Sequence, residues 1–240
     1  MMWVEPLSDA ELTIVVDNKA REGLEEAWGL SILVRAGELA LLFDTGPDPG
    51  PLKANAERLG VDLSSVGAVF ISHDHWDHAG GLSLLEDRGL EVYVPEGADP
   101  GFKRGLARHF KVREVGGPAV VGKGLASSGD MYGPPHEHAL GIHVGGKGLV
   151  VVTGCSHPGV ENMVSRLVEA TGVPAYAVIG GFHLIGATDE AILRVAGVLR
   201  DLGVKEVYPL HCTGDRAQRV LKEALGPLYR EGYAGLSLRF

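Results

Sequence analysis

The segment His73-Asp74-His75-Trp76-Asp77-His78 places three imidazoles and two carboxylates within six positions, directly after the apolar run Val66 to Ile71 and before Gly80-Gly81. Neutral imidazole and carboxylate are donors that Zn²⁺, Mn²⁺ and Fe²⁺ accept at about 2.0 to 2.2 Å, and catalytic sites leave a position open for water. A strand ending at Ser72 would fan His73 and His75 to one side of a turn, with Asp77 and His78 entering the next helix. Two adjacent cations can be held this way. A solvated loop with incidental histidines is the bland alternative, but HxHxDH beside a buried-looking strand favours a metal site.

Four more apolar runs end in residues of the same kind. Leu41-Leu42-Phe43 leads into Asp44-Thr45-Gly46, and Val150-Val151-Val152 into Thr153-Gly154-Cys155-Ser156-His157-Pro158-Gly159. Ile179 leads into Gly180-Gly181-Phe182-His183-Leu184, and Tyr208-Pro209-Leu210 into His211-Cys212-Thr213-Gly214. One histidine after a strand is ordinarily a satisfied loop residue. Four such strand ends alongside HxHxDH point to ligands gathered from separate strands onto one sheet edge. Cys155 and Cys212 are too few for a disulfide framework, and each stands close to a histidine, which suits a metal ligand or a reactive thiol. For Cys212 a small buried packing residue is the simpler reading.

The elements that must position these residues are legible as apolar, β-branched runs punctuated by Gly and Asp. Leu12 to Val16, Leu30 to Val34, Leu39 to Phe43, Val66 to Ile71 and Leu90 to Val94 read as strands. Leu140 to Val144 and Leu149 to Val152 flank a Gly-Gly-Lys-Gly turn as a hairpin, and Ala175 to Ile179 and Glu206 to Leu210 are further strands. Three helical stripes follow. The first uses Val160, Met163, Val164, Leu167 and Val168, with Pro158 in its first turn and Gly172 at its end. The second uses Ile192, Val195, Ala196, Leu199 and Leu202, opening near Thr188 and closing at Gly203. The third uses Ala217, Val220, Leu221 and Ala224, capped by Thr213. These stripes are core packing. Gly116 to Gly133 is glycine-rich and reads either as a mobile loop over the site or as a surface connection. Strands and helices in each half suggest two sheets face to face with helices outside.

At 240 residues with 45% hydrophobic and 22% charged content, the chain suits one α/β domain spanning 1–240. A net charge of -9, with no extended Lys/Arg cluster, argues against a nucleic-acid surface. No secretory signal is evident at Met1-Met2-Trp3-Val4-Glu5-Pro6, and no apolar run reaches the ~18 residues of a membrane span, so the expected compartment is the cytoplasm without membrane partners. An anionic substrate would have to be held locally, by metal or by helix N-termini such as the one near Pro158.

HxHxDH after a strand, preceded by Asp-Thr-Gly and followed by a strand-end His, resembles the metallo-β-lactamase superfamily over most of the chain. More narrowly, Val16-Asp17-Asn18, Trp28-Gly29-Leu30-Ser31, Asn55-Ala56, the Gly154 to Gly159 segment, Gly180 to Leu184 and His211 to Gly214 are similar to one subfamily. It is named for dihydropterin-ribofuranosylaminobenzene phosphate synthase. The resemblance implies a four-layer αβ/βα sandwich of the metallo-β-lactamase type, with a one- or two-metal site at the sheet edge. Carried onto this chain, it implies His73 and His75 on a first metal, Asp77 and His78 on a second, and His211 completing the second. Asp44 would stand behind them, orienting histidine N–H groups.

Many superfamily members add a strand-end His and a bridging Asp, and no such Asp is evident here. If Gly154-Cys155 stands at the Asp position, the preceding His is His136 or His138. If His157 is that His, the later strand end offers His183. His157 is the preferred first-metal ligand, and Cys155 either ligates as a thiolate or packs.

The function implied is a hydrolase that uses a metal-activated water on a small phosphorylated or ester substrate, with one or two divalent ions, zinc ahead of manganese or iron. Asp77 would orient the nucleophile, and His183 would act as an acid, a phosphate contact or an extra ligand. The alternative is a transferase-type synthase condensing a dihydropterin pyrophosphate with a ribofuranosylaminobenzene phosphate. A third reading, a metal-binding regulator without turnover, is disfavoured by the intact Asp77. A homo-oligomer is admissible.

Overall fold

The apolar runs show little polar alternation because the strands they form are covered on both faces. The computed structural model describes residues 1–240. One sheet has seven strands, in the order Ser237–Arg239, Ala10–Val16, Ser31–Ala36, Leu39–Phe43, Ala68–Phe70, Glu91–Pro95 and Lys111–Val115. A second has six, in the order Glu206–Leu210, Ala175–Gly181, Gly148–Thr153, Leu140–Val144, Leu125–Ser127 and Ala119–Gly122.

The strands that lead into the chemistry-bearing loops are parallel neighbours. Leu39–Phe43 pairs with Ala68–Phe70, with Phe43 opposite Phe70. Gly148–Thr153 pairs with Ala175–Gly181, and that strand with Glu206–Leu210, putting Thr153 opposite Gly180 and Gly181 opposite Leu210. Parallel neighbours in level register end on the same side. Asp44 and His73 therefore leave one sheet together, and Cys155, His183 and His211 leave the other together.

Three apolar layers hold the sheets and helices. Between the sheets, Leu12, Ile14, Phe43 and Phe70 meet Leu140, Ile142, Val152 and Ile179. Outside the second sheet lie the helices Val160–Thr171, Asp189–Asp201 and Asp215–Leu225, burying Met163, Leu167, Ile192, Leu199, Ala217 and Leu221. Outside the first lie Pro49–Leu59, the 3-10 segment Gly80–Leu85 and Pro100–Leu106, burying Leu52, Ala56, Leu82, Leu85 and Leu106. The result is the expected αβ/βα sandwich. No helix is long and apolar enough to cross a membrane.

Leu39–Phe43, Leu140–Val144 and Glu206–Leu210 coincide with the expected strands end to end, while the Val66 to Ile71 run shortens to Ala68–Phe70. Thr188 caps its helix through Oγ1, which accepts from Ala191 N at 3.3 Å, and Gly172 closes the 160–171 helix at φ 71°. Two expectations are corrected. Thr213 is no cap: Gly214 takes that position, and Thr213 Oγ1 accepts from Phe182 N at 3.1 Å, tying two site loops together. Gly116 to Gly133 is built into Ala119–Gly122, Leu125–Ser127 and Met131–Tyr132, with Gly124 and Gly129 turning the chain at φ 70° and 73°. The dense glycines there mark tight turns between short strands.

Leu12, fully buried between the sheets, and Leu193, half exposed on an outer helix, offer a direct test of this layering. Leu12→Ala is expected to cost about 2–5 kcal/mol in urea unfolding, and Leu193→Ala about 0.5 kcal/mol or less.

Candidate metal centre

The histidine run is aimed by one buried carboxylate. Asp44 is fully buried; its Oδ1 accepts from Ser72 N at 2.7 Å, and its Oδ2 accepts from Ser72 Oγ at 2.7 Å and from His78 Nδ1 at 2.6 Å. The Ser72 hydroxyl proton goes to Asp44, so His73 Nδ1, 2.9 Å from Ser72 Oγ, must be the donor there. His73 and His78 thus carry their protons on Nδ1 and turn Nε2 inward. The loop can close because Gly80 and Gly81 lack side chains: a Cβ at Gly80 would stand 1.8 Å from Pro47 O, and one at Gly81 2.2 Å from Thr45 O. Thr45 completes the clasp, its N–H and hydroxyl both donating to His78 O.

The second half of the chain supplies matching anchors. Glu137, fully buried, accepts from the backbone N–H of Cys155, Ser156 and His157 at 2.8–2.9 Å, and from His157 Nδ1 at 2.8 Å. His211 Nδ1 donates to Asn18 Oδ1 at 2.9 Å, and His211 N to Asp17 Oδ1 at 2.9 Å. Asn55 ties that region down, since its amide donates to Val15 O and Glu25 O, both at 2.9 Å. His157 and His211 therefore also present Nε2.

Two sets of three donors result. His73, His75 and His157 form one, Asp77, His78 and His211 the other, and within each set the ligand atoms lie within 4.8 Å of one another. Donor chemistry and polar bookkeeping both fit divalent cations. The buried Nε2 atoms of His73 and His211 have no hydrogen-bond partner, and such orphans are rare in a protein interior. His211 Nε2 lies 3.2 Å from Asp77 Oδ2 without hydrogen-bond alignment.

Electrostatics keep His73 and Asp77 in ligating form, while His78 holds a proton. Burial, with the neighbouring imidazoles, holds His73 well below the usual histidine range, so it is neutral. Burial opposes ionisation of Asp77, but His211 and His78 outweigh it and lower its pKa to about 2. At His78 burial also opposes charge, yet the Asp44 carboxylate raises the pKa to about 9, so a cation must displace a proton there. Strain concentrates at the same place: Asp44, Ser156, His183 and His211 all adopt positive φ, between 46° and 63°.

All the expected site residues converge here. His183 stands at the rim, its ring 4.4 Å from that of His157. His138 does not join, because both its ring nitrogens are used: Nε2 donates to Ile71 O at 2.9 Å and Nδ1 accepts from Ser127 Oγ at 3.0 Å. His136 is tied to Asp130 at 2.8 Å. The helix expected to open near Pro158 begins at Val160 with Gly159 as its cap, and the N–H groups of the loop before it, those of 155–157, are taken by Glu137. Glu137, Ser72, Asp17 and Asn18 were missed as anchors. The readable signal for Glu137 was an acid between two histidines, His136 and His138, just before an apolar strand.

Four of the donors, His75, Asp77, His157 and His211, line a cleft of about 380 Å³ whose rim carries Trp28 and Trp76, 48% and 63% exposed. A neighbouring groove of about 400 Å³ shares Trp28 and His211 with it, and a further cavity of about 550 Å³ shares Lys19, Asp215 and Gln218 with that groove. That cavity is lined by Lys19, Arg21, Arg219 and Lys222 against Asp215 and Glu231.

Comparison with known proteins agrees with this geometry. The family model described as "Metallo-beta-lactamase superfamily" matches residues 29–167. The 7,8-dihydropterin-6-methyl-4-(beta-D-ribofuranosyl)-aminobenzene-5'-phosphate synthase of Methanocaldococcus jannaschii is 28% identical, over 88% of this chain and 90% of its own. An uncharacterised protein of the same organism is 27% identical over 93% and 98%. Among solved structures, Tm1679, described as a metal-dependent hydrolase of the β-lactamase superfamily, superposes with a TM-score of 0.83 at 30% identity, over 95% of this chain and 98% of that one.

Two outcomes follow for the anchors. Glu137→Gln is expected to weaken metal binding about 10- to 100-fold in a chelator competition titration, with the far-ultraviolet circular dichroism unchanged. His138 is held neutral by burial, its pKa lowered to about 3. Its folded-state value lies below the unfolded one, so its contribution is whole above about pH 6.5 and is lost as pH falls towards 3. Between about pH 7 and about pH 4.5 the wild type should lose roughly 2 kcal/mol more stability than His138→Gln in urea unfolding.

Proposed function

The chain belongs to the metallo-β-lactamase superfamily, and from that premise we propose that it is a metal-dependent hydrolase acting on a small, anionic phosphorylated or ester substrate. The observation that carries this reading is the convergence of two donor sets, with Nε2 atoms bared by anchored Nδ1–H groups, beside an open cleft. His73, His75 and His157 would hold a first divalent cation, and Asp77, His78 and His211 a second. Imidazole with carboxylate suits zinc, and also admits manganese or iron. Divalent cations held there supply Lewis-acid polarisation of the electrophile and acidification of water.

The chain's own residues do the rest. Asp77, ionised down to about pH 2, accepts a hydrogen bond from the attacking water and orients it. His183 faces the cleft, and its hydrogen bond with Cys212 raises its pKa, so it stays protonated to higher pH and can donate to the leaving-group oxygen. Trp28 and Trp76 cover apolar substrate surface at the rim. Lys19 pairs with Asp215 at 2.8 Å and Lys222 with Glu231 at 2.7 Å, which leaves Arg21 and Arg219 in the further cavity without carboxylate partners. Those two guanidinium groups suit an anionic substrate end, despite the net charge of -9.

A second reading, a synthase condensing a dihydropterin pyrophosphate with a ribofuranosylaminobenzene phosphate, is supported by the 28% identity to the Methanocaldococcus jannaschii enzyme along nearly its whole length. The paired exposed tryptophans also favour it, because they suit planar rings.

Metal-loaded protein should hydrolyse members of a phosphodiester and lactone panel. No turnover there, together with product from the pterin pair, would replace the hydrolase by the synthase. His183→Gln should lower kcat about 10²-fold or more. A general acid works only when protonated, so wild-type rate falls as pH rises through the raised His183 pKa, and the variant should lose that alkaline limb. Arg219→Ala should raise KM for phosphorylated substrates about 10-fold while leaving kcat within about twofold.

A further inference from the structure

We propose that the Cys155 sulfur is the bridging ligand of the centre, lying between the two donor sets and supplying the shared anion. The proposal rests on the metal-centre reading above and adds to it a thiolate.

Cys155 falls in neither histidine set but spans both. Its Sγ lies within 4.8 Å of donor atoms of His73, from the first set, and of His78, from the second. His78 Nε2, whose other nitrogen is fixed on Asp44, points at Cys155 Sγ from 3.2 Å. No other anion source occupies that position. Among the donors aimed at the centre only Asp77 is a carboxylate, so two dications would meet one anionic ligand, with Asp44 and Glu137 standing behind the imidazoles. A sulfur between them supplies the second.

The loop is shaped to put it there. Glu137 receives the N–H groups of residues 155, 156 and 157, and Ser156 takes φ 63° between two inward-facing neighbours. That left-handed residue lets Cys155 and His157, two positions apart, face the same centre. Gly154 brings the strand end against the Asp44–Ser72 anchor, where a Cβ would meet Ser72 Oγ at 2.0 Å. Cys212 does not compete for the position: its Sγ lies 3.6 Å from the Cys155 carbonyl oxygen and groups with Cys155 and His183 alone.

A cation held there would take the Cys155 sulfur as a thiolate, the thiol proton going to solvent, since a coordinated thiol is deprotonated outright. Sulfur also narrows the choice of metal, favouring zinc or cobalt over manganese.

Cobalt(II) reports this directly. The metal-free full chain is titrated with cobalt(II), with elemental analysis and near-ultraviolet and visible spectra recorded for wild type, Cys155→Ser and Cys212→Ser. Wild type should bind about two equivalents and show an intense sulfur-to-cobalt charge-transfer band, which Cys212→Ser retains and Cys155→Ser loses. A 100-fold excess of manganese should leave the band in place. Loaded wild type without the band, or a band that survives Cys155→Ser, overturns the bridging sulfur and leaves the metal centre standing. A band lost in Cys212→Ser alone assigns the sulfur to that residue and also overturns the proposal. Wild type that binds no cobalt removes the metal centre itself, and the sulfur with it. Should Cys155→Ser fail to fold, wild type and Cys212→Ser still decide, because the chain has only two cysteines.

Discussion

The carboxylate of Asp44 accepts three hydrogen bonds, from the Ser72 N–H, the Ser72 hydroxyl and His78 Nδ1, and everything at the centre is arranged around them. They set the tautomers of His73 and His78, and so decide that Nε2 of each faces inward. They require Asp44 itself to sit at φ 53°, at the end of a strand whose neighbour delivers Ser72 in parallel register. A buried carboxylate with both oxygens hydrogen-bonded is tolerable in a dry interior, whereas one left without donors is costly. Removing either partner would therefore disturb both the fold and the aim of the ligands.

Glu137 repeats the device on the other sheet. Its two oxygens take three backbone N–H groups and one imidazole, converting the loop after Gly148–Thr153 into a rigid shelf for Cys155 and His157. The two shelves are locked to each other where His138 donates from its backbone N–H to Ser72 O and from its ring to Ile71 O, stacked on Phe70 at 3.9 Å. A histidine with ligand chemistry has become a strut. It can do so because burial makes its neutral form the stable one.

The centre is also where local preference is overruled. Four of the five non-glycine residues with positive φ carry or neighbour site groups, and the orphaned Nε2 atoms of His73 and His211 lie there too. Each costs stability, and the two packed sheets with their helical flanks hold them in place. The cleft beside the donors is bordered by tryptophans, and the cationic residues line a separate cavity, so the two features are spatially distinct.

The sequence by itself determined the strands, the three C-terminal helical stripes, the sandwich class and the residues that gather at the centre, because hydrophobic period and ligand spacing are local properties of a chain. Leu39–Phe43 and Glu206–Leu210 were readable to the residue for that reason. The short strands between 116 and 133 were not, since glycines there obscure the period and only pairing with distant segments makes them strands. Only the tertiary structure decided that His157 joins the centre while His138 does not, that Glu137 takes the N–H groups of 155–157, and that Cys155 Sγ comes within 4.8 Å of donor atoms of His73 and His78. Those outcomes depend on which hydrogen-bond acceptor meets each imidazole, and the acceptors come from positions up to 193 residues away. Spacing along a chain fixes which donors are available, but the direction each one faces is set by partners that only the folded sheets bring within 3 Å.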